Sequence, residues 1–188
     1  MKPVRGIRRW VAGGLAIVLL AVGTAVARAE QADALKAAFV LNFLKFAEWP
    51  VAGPSETNAT LVIAAVGNGP LTTALKTVLN GKTAQGRKVE VLVFRDAAEW
   101  KRGNRSCQAL FITPATHSAW GEIRASVADR PVLTIGAATG FCTEGGMLNL
   151  YEKENRIRYE ANLEAVEKAG LKLRSELLKL ATIVTTMR

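Results

Sequence analysis

The chain of 188 residues has a single histidine, His117, and only two cysteines, Cys107 and Cys142. That inventory is too small for a Cys/His zinc cluster with paired ligand spacing. No C-x-x-C occurs, which removes a thioredoxin-type redox centre. Aromatic residues make up only 6%. Neither an internal repeat nor a low-complexity tract is present, and beyond residue 29 no uncharged run is long enough to span a bilayer. What remains is an ordinary globular composition of about one domain.

The formal charge of +9 suggests a nucleic-acid partner until its location is considered. Residues 1–29 hold Lys2, Arg5, Arg8, Arg9 and Arg28 and no acid, leaving 20 basic and 16 acidic side chains, or +4, in the remainder. The excess therefore belongs largely to a leader, and no nucleic-acid partner is expected. Its cations precede an uncharged stretch, Trp10 to Val26, that ends in Ala27-Arg28-Ala29. A basic region, an apolar region and an A-x-A site describe a secretory signal peptide. The competing reading is an uncleaved membrane anchor, since 17 uncharged residues come near the lower limit for spanning a bilayer, but Ala12, Gly13, Gly14 and Gly23 make a weak span. The expected domains are a signal peptide over 1–29, cleaved after Ala29, and one α/β domain over 30–188. Export by the Sec route places the mature chain in the periplasm with no stable membrane insertion. That compartment lacks nucleoside triphosphates and reduced nicotinamides, and it is oxidising.

Along residues 32–47, Leu35, Phe39, Phe43 and Phe46 recur at steps of four, four and three. This spacing predicts an amphipathic helix, which Pro50 stops; its aromatics read as core. Residues 51–59, with Gly53, Pro54, Ser55 and Asn58, read as a loop. Strands are expected at Thr60–Val66, Val89–Phe94, Ala109–Thr113 and Val132–Ile135, with helices at Leu71–Leu79 and within 115–128. After Gly136 the rhythm changes to a hairpin, Met147–Tyr151 and Arg156–Tyr159, then helices near Leu163–Ala169 and Ser175–Thr185 with Ser175 as N-cap. The fold class that follows is a single Rossmann-like α/β domain: a mostly parallel sheet, a C-terminal antiparallel hairpin, and helices on both faces.

Candidate sites are few. Gly67-Asn68-Gly69 follows a strand and opens a helix, but it lacks the third glycine and any following Lys-Ser/Thr pair, so a tight βα connection is the reading. His117 beside Ser118 lacks a motif for an oxyanion hole or an orienting acid. No catalytic, cofactor or metal residue is assigned. Cys107 and Cys142 fall at opposite ends of parallel strands, and a five-residue strand spans about 17 Å against roughly 5.5 Å between bridged Cα atoms. A bridge between them is not expected, and free thiols or an intermolecular bond remain. The most distinctive segment is Gly140 to Asn162, where Gly145 and Gly146 turn into the hairpin and Asn162 can cap a helix. Glu160 has a backbone NH or an arginine as candidate partners. Gly145, Gly146, Met147, Leu148, Glu160 and Asn162 are the candidate partner-binding residues.

Taken together, KAAFVLNFLKFAEWP (Lys36 to Pro50), CQALFI (Cys107 to Ile112), VLTIG, GFCTEGGMLNL and the long C-terminal run from Arg156 to Ala181 resemble the YfiR family of exported bacterial proteins in order and spacing. The resemblance implies a periplasmic, non-enzymatic protein. It implies repression of an inner-membrane diguanylate cyclase through that enzyme's periplasmic region, with an outer-membrane lipoprotein relieving the repression by sequestration. Cyclic-di-GMP and biofilm control would follow, and a homodimer is a further option. Family members also accompany histidine kinases and outer-membrane receptors. The family's local disulfide joins the position of Cys142 to one just past the glycine pair, which is Asn149 here, so redox control through that bond is not expected. The alternative is a small-molecule sensor with its cleft at the carboxyl ends of the strands, bordered by Gly67 to Gly69 and Gly136 to Gly140, feeding a kinase or other membrane receptor. A hydrolase built on His117 is a third.

Overall fold

The computed structural model describes residues 7–50, 60–103, 106–128 and 130–187, with side chains from Ala27 onward. The loop read over 51–59 and the leader residues Lys2 and Arg5 lie outside the described residues. Helix α1, Ile7–Phe46, ends where expected, but its backbone begins well before Ala32 and runs through the segment read as leader. No proline interrupts the sequence between Pro3 and Pro50, so nothing local stops the helix earlier. Among the described residues no helix is long and apolar enough to cross a membrane.

After α1 come β1 (Ala47–Glu48), β2 (Leu61–Val66), α2 (Pro70–Leu79), β3 (Thr83–Ala84), β4 (Arg87–Phe94), α3 (Ala97–Arg102) and β5 (Ala109–Ile112). A 3₁₀ turn (Pro114–Ala119) leads into α4 (Trp120–Ala125), then β6 (Leu133–Gly136), the hairpin β7 (Leu148–Lys153) and β8 (Arg156–Ala161), α5 (Leu163–Lys168), β9 (Lys172–Leu173), α6 (Ser175–Leu178) and β10 (Thr182–Ile183). Eight strands form one sheet in the order β10-β8-β7-β6-β5-β2-β4-β3. The pairings β4–β2, β2–β5, β5–β6 and β6–β7 are parallel, and β7–β8 and β3–β4 are antiparallel. The expected α/β architecture is present.

Burial explains why these strands sit where they do. Central strands β5 and β6 are buried at every position, as an apolar strand covered on both faces must be. On one face Leu61, Ile63, Phe111, Leu133 and Ile135 pack with Val40, Phe43 and Leu44 of α1 and Leu75 and Leu79 of α2. Phe39, Phe43 and Tyr159 meet ring to ring, with centroids 5.0–6.4 Å apart. The α1 aromatics are therefore core, as the spacing predicts. On the other face Ala64, Val66, Leu110 and Ile112 pack with Trp100, Trp120, Ile123, Phe141 and Cys142.

The C-terminus departs from expectation. The last helix is a single turn whose N-cap is Arg174, with Ser175 its first residue, and the chain then becomes an edge strand, β10, parallel to β8. Leu180, Ile183 and Met187 lie exposed, so this stretch lacks the buried stripe that would hold a longer helix to the core. Beyond β10 the chain continues as a strap: Val184 N donates to Ala161 O and Met187 N donates to Thr143 O. At the opposite end, β1 pairs with β9 and Arg174 reaches Glu48 at 2.8 Å.

Candidate functional site

The segment between β6 and β7 is built around Phe141. Its ring lies between Gly136 and Gly146; a Cβ at either glycine would approach ring atoms at 2.4 and 2.1 Å, closer than carbon atoms pack. Trp120 covers the same ring, centroids 4.5 Å apart. Gly146 N donates to Phe141 O, Gly145 N to Cys142 O and Glu144 N to Gly140 O. Gly145 has φ 89° and lies against Arg124, whose Nη1 would be 2.4 Å from a Cβ there. The positive φ is what favours glycine at that position.

The candidate residues divide into those behind this loop and those at its surface. Gly146, Met147, Leu148 and Asn162 are buried, whereas Gly145 and Glu160 are half-buried. Met147 N donates to Thr134 Oγ1 and Met147 O accepts from Asn162 N. Asn162 caps α5 by accepting from Ala165 N, while its Nδ2 donates to Cys142 O and Thr186 Oγ1, both at 2.8 Å. One side chain thus joins the loop, a helix start and the C-terminal strap. Glu160 takes neither partner expected for it, a backbone NH or an arginine: its Oε2 accepts from Asn149 Nδ2 at 3.2 Å across the hairpin. Asn149 Oδ1 is buried without a hydrogen-bond partner.

Both cysteines are free and buried. Burial pushes the Cys107 thiol up to about 11, with Arg130 opposing. Cys142 is raised further, by burial and then by the Glu160 carboxylate. Neutral, inaccessible thiols are unreactive.

His117 Nε2 is 3.4 Å from Glu144 Oε1, and its Nδ1 is buried without a partner. Ser118 is exposed and makes no hydrogen bond to it. The two do not form a nucleophile–base pair. At the carboxyl ends of the strands Gly67 packs against Thr113 and Gly136 against Phe141, while an open cavity of about 460 Å³ lies beside Asn68, lined by Thr72, Thr73, Lys76, Thr77 and Val93. Among the described residues no group of His, Cys, Asp and Glu could hold a metal ion.

A more enclosed cavity, of about 260 Å³, lies at the other end of the sheet, between α4, the start of β6, the loop and α5. It brings Gly145 and Met147 together with Trp120, Arg124, Thr134, Ala165 and Lys168. The sequence reading missed this place. Its only signal was small residues at helical spacing, Gly121, Ala125 and Ala128, then Ala165 and Ala169, each set beside a cation.

A family model described as YfiR/HmsC-like matches residues 33–182. Among curated proteins nothing matches. Two solved structures are similar to this chain, the first of them in general fold. One is the ABC domain in complex with L-Trp from Streptococcus pneumonia, at 13% identity and TM-score 0.51, covering 66% of this chain and 55% of that one. The other is a conserved domain protein from Vibrio cholerae O1 biovar El Tor, at 14% and 0.47, covering 65% and 54%. The chain spans little more than half the length of either.

Proposed function

The chain belongs to the YfiR/HmsC-like family, and from that membership we propose that it is a periplasmic, non-enzymatic regulator that represses an inner-membrane diguanylate cyclase by contact. The match over residues 33–182 carries this reading; the leader composition supports the compartment. Such a regulator needs no reaction centre. It needs a surface whose burial favours one state of the partner, and inverting a 1:99 equilibrium takes about 5.5 kcal/mol of differential binding.

The face we assign to this contact is the outer side of the loop and hairpin: Thr143, Glu144, Gly145 and Glu160, with Tyr151 beside them, all at least partly accessible. Gly146, Met147, Leu148 and Asn162 act from behind, by fixing its shape. A patch of accessible glycine backbone and polar side chains with one aromatic, Tyr151, suits a reversible contact. An outer-membrane lipoprotein that bound the same face would relieve repression by competition, and so would a homodimer that covered it.

Deleting the gene and measuring cellular cyclic-di-GMP tests the proposal. The level should rise, return with the wild-type gene, and stay high with a gene carrying Glu160→Arg, in which a cation replaces the half-buried acid on that face. An unchanged level in the deletion strain would overturn the cyclase assignment.

A further inference from the structure

The cavity at the start of β6 has the composition of a ligand site. Its wall is made of residues that leave space: Gly121, Ala125 and Ala128 on and just beyond α4, and Ala165 and Ala169 on and just beyond α5. Its deep surface is Trp120, Val127, Val132 and Met147, each at most 6% exposed. β7 pairs with β6 only at Ile135 and Gly136, so the β6 edge at Val132 to Thr134 has no strand beside it. Thr134 N makes its contact there with Met147 Sδ at 3.5 Å, a weak acceptor. The interior is thus apolar, with one poorly served donor.

The mouth is cationic. Arg124 and Lys168 both border the cavity, and neither forms an ion pair with a described residue. Two nearby acids are already engaged, Glu122 with Lys101 and Glu144 with His117. An apolar interior of this size beneath two unpaired cations suits one chemistry. We propose that this cavity binds a small amphipathic carboxylate, an apolar chain or ring buried against Met147 with its anionic group between Arg124 and Lys168. A cavity of about 150 Å³ holds benzene; 260 Å³ admits a ring or short chain with its head group. Inorganic anions gain nothing from the apolar wall, and cationic ligands meet like charge at the mouth. Because Arg124 lies on Gly145, an occupant that holds Arg124 also holds the loop.

The full chain contains three methionines, Met1, Met147 and Met187, which makes methyl labelling a direct test. Met147 is part of the cavity wall and Met187 is 75% exposed. In the ¹³C-methyl spectrum, octanoate should shift the Met147 signal saturably and leave Met187 unmoved. Octylamine should leave both unmoved. Arg124→Gln and Lys168→Gln should each weaken octanoate binding by about tenfold, the worth of one charge-assisted hydrogen bond. Ala165→Leu should fill the cavity and abolish the shift, with Ala128→Leu as a second filling variant and an unchanged near-ultraviolet circular dichroism spectrum reporting an intact fold. An unmoved Met147 signal at about 10 mM octanoate, an equal response to octylamine, or a shift that survives both filling variants would overturn the proposal. The measurement uses the isolated protein, so its outcome is independent of any membrane partner.

Discussion

At the residue scale the loop is governed by one ring and two glycines. Gly146→Ala places a methyl group against Phe141, 2.1 Å from the nearest ring atom, and should destabilise by about 1–3 kcal/mol as overpacking does. Combining it with Phe141→Leu should cost less than the sum of the two single changes in urea unfolding, because the pair is in direct contact. Cys107 gives a pH signature. Its folded pKa, raised to about 11 chiefly by burial, lies above the roughly 8.5 of an unfolded thiol. The neutral thiol therefore contributes stability that is complete below about pH 8.5 and is lost as pH rises toward 11. Urea midpoints at pH 7 and pH 10 should fall further apart for the wild type than for Cys107→Ala. That Gly145 and Gly146 turn the chain was legible from their identity. That Phe141 is why Gly146 cannot be replaced was not, since a contact five residues away leaves no periodic trace.

At the scale of elements, the strap is the decisive piece. Val184 packs beside Phe141 and Cys142, Thr186 accepts from Asn162, and Met187 is tied to Thr143. Truncation after Ala181 should uncover Cys142 and speed its labelling by a thiol reagent at least tenfold over Cys107, an outcome readable by mass spectrometry. Equal acceleration of both thiols would mean that the sheet itself had opened. Strands β2, β4, β5 and β6 and helix α2 were readable because each carries a buried, β-branched or amphipathic pattern bounded by glycine or proline. The strap and the short pairs β1–β9 and β3–β4 were not, because two-residue strands are defined by their partners and have no period of their own. Asp96 as N-cap of α3, accepting from Glu99 N, is a local signal that could have been read.

Over the whole molecule, the sheet separates two apolar cores, one under α1 and α2 and one under Trp100 and Trp120. Strands β2 and β5 contribute side chains to both. Neither core can lose its strands without exposing the other, so thermal unfolding should be a single transition with coincident near- and far-ultraviolet circular dichroism. Two separate transitions would contradict this. The same architecture has a bearing on biogenesis. The exit of α1 is fastened by a segment distant in sequence: Ala47 and Glu48 pair with Leu173 and Lys172, Arg174 N donates to Phe46 O, and Arg174 clasps Glu48. Closing that clasp spans more than a hundred residues of sequence, the kind of contact that forms late. A polypeptide delivered amino end first, through a ribosome tunnel or a translocation pore, can bury α1 against α2 early, yet it cannot fasten the exit of that helix until Arg174 has emerged. The clasp therefore closes only after every strand from β2 to β9 has been delivered.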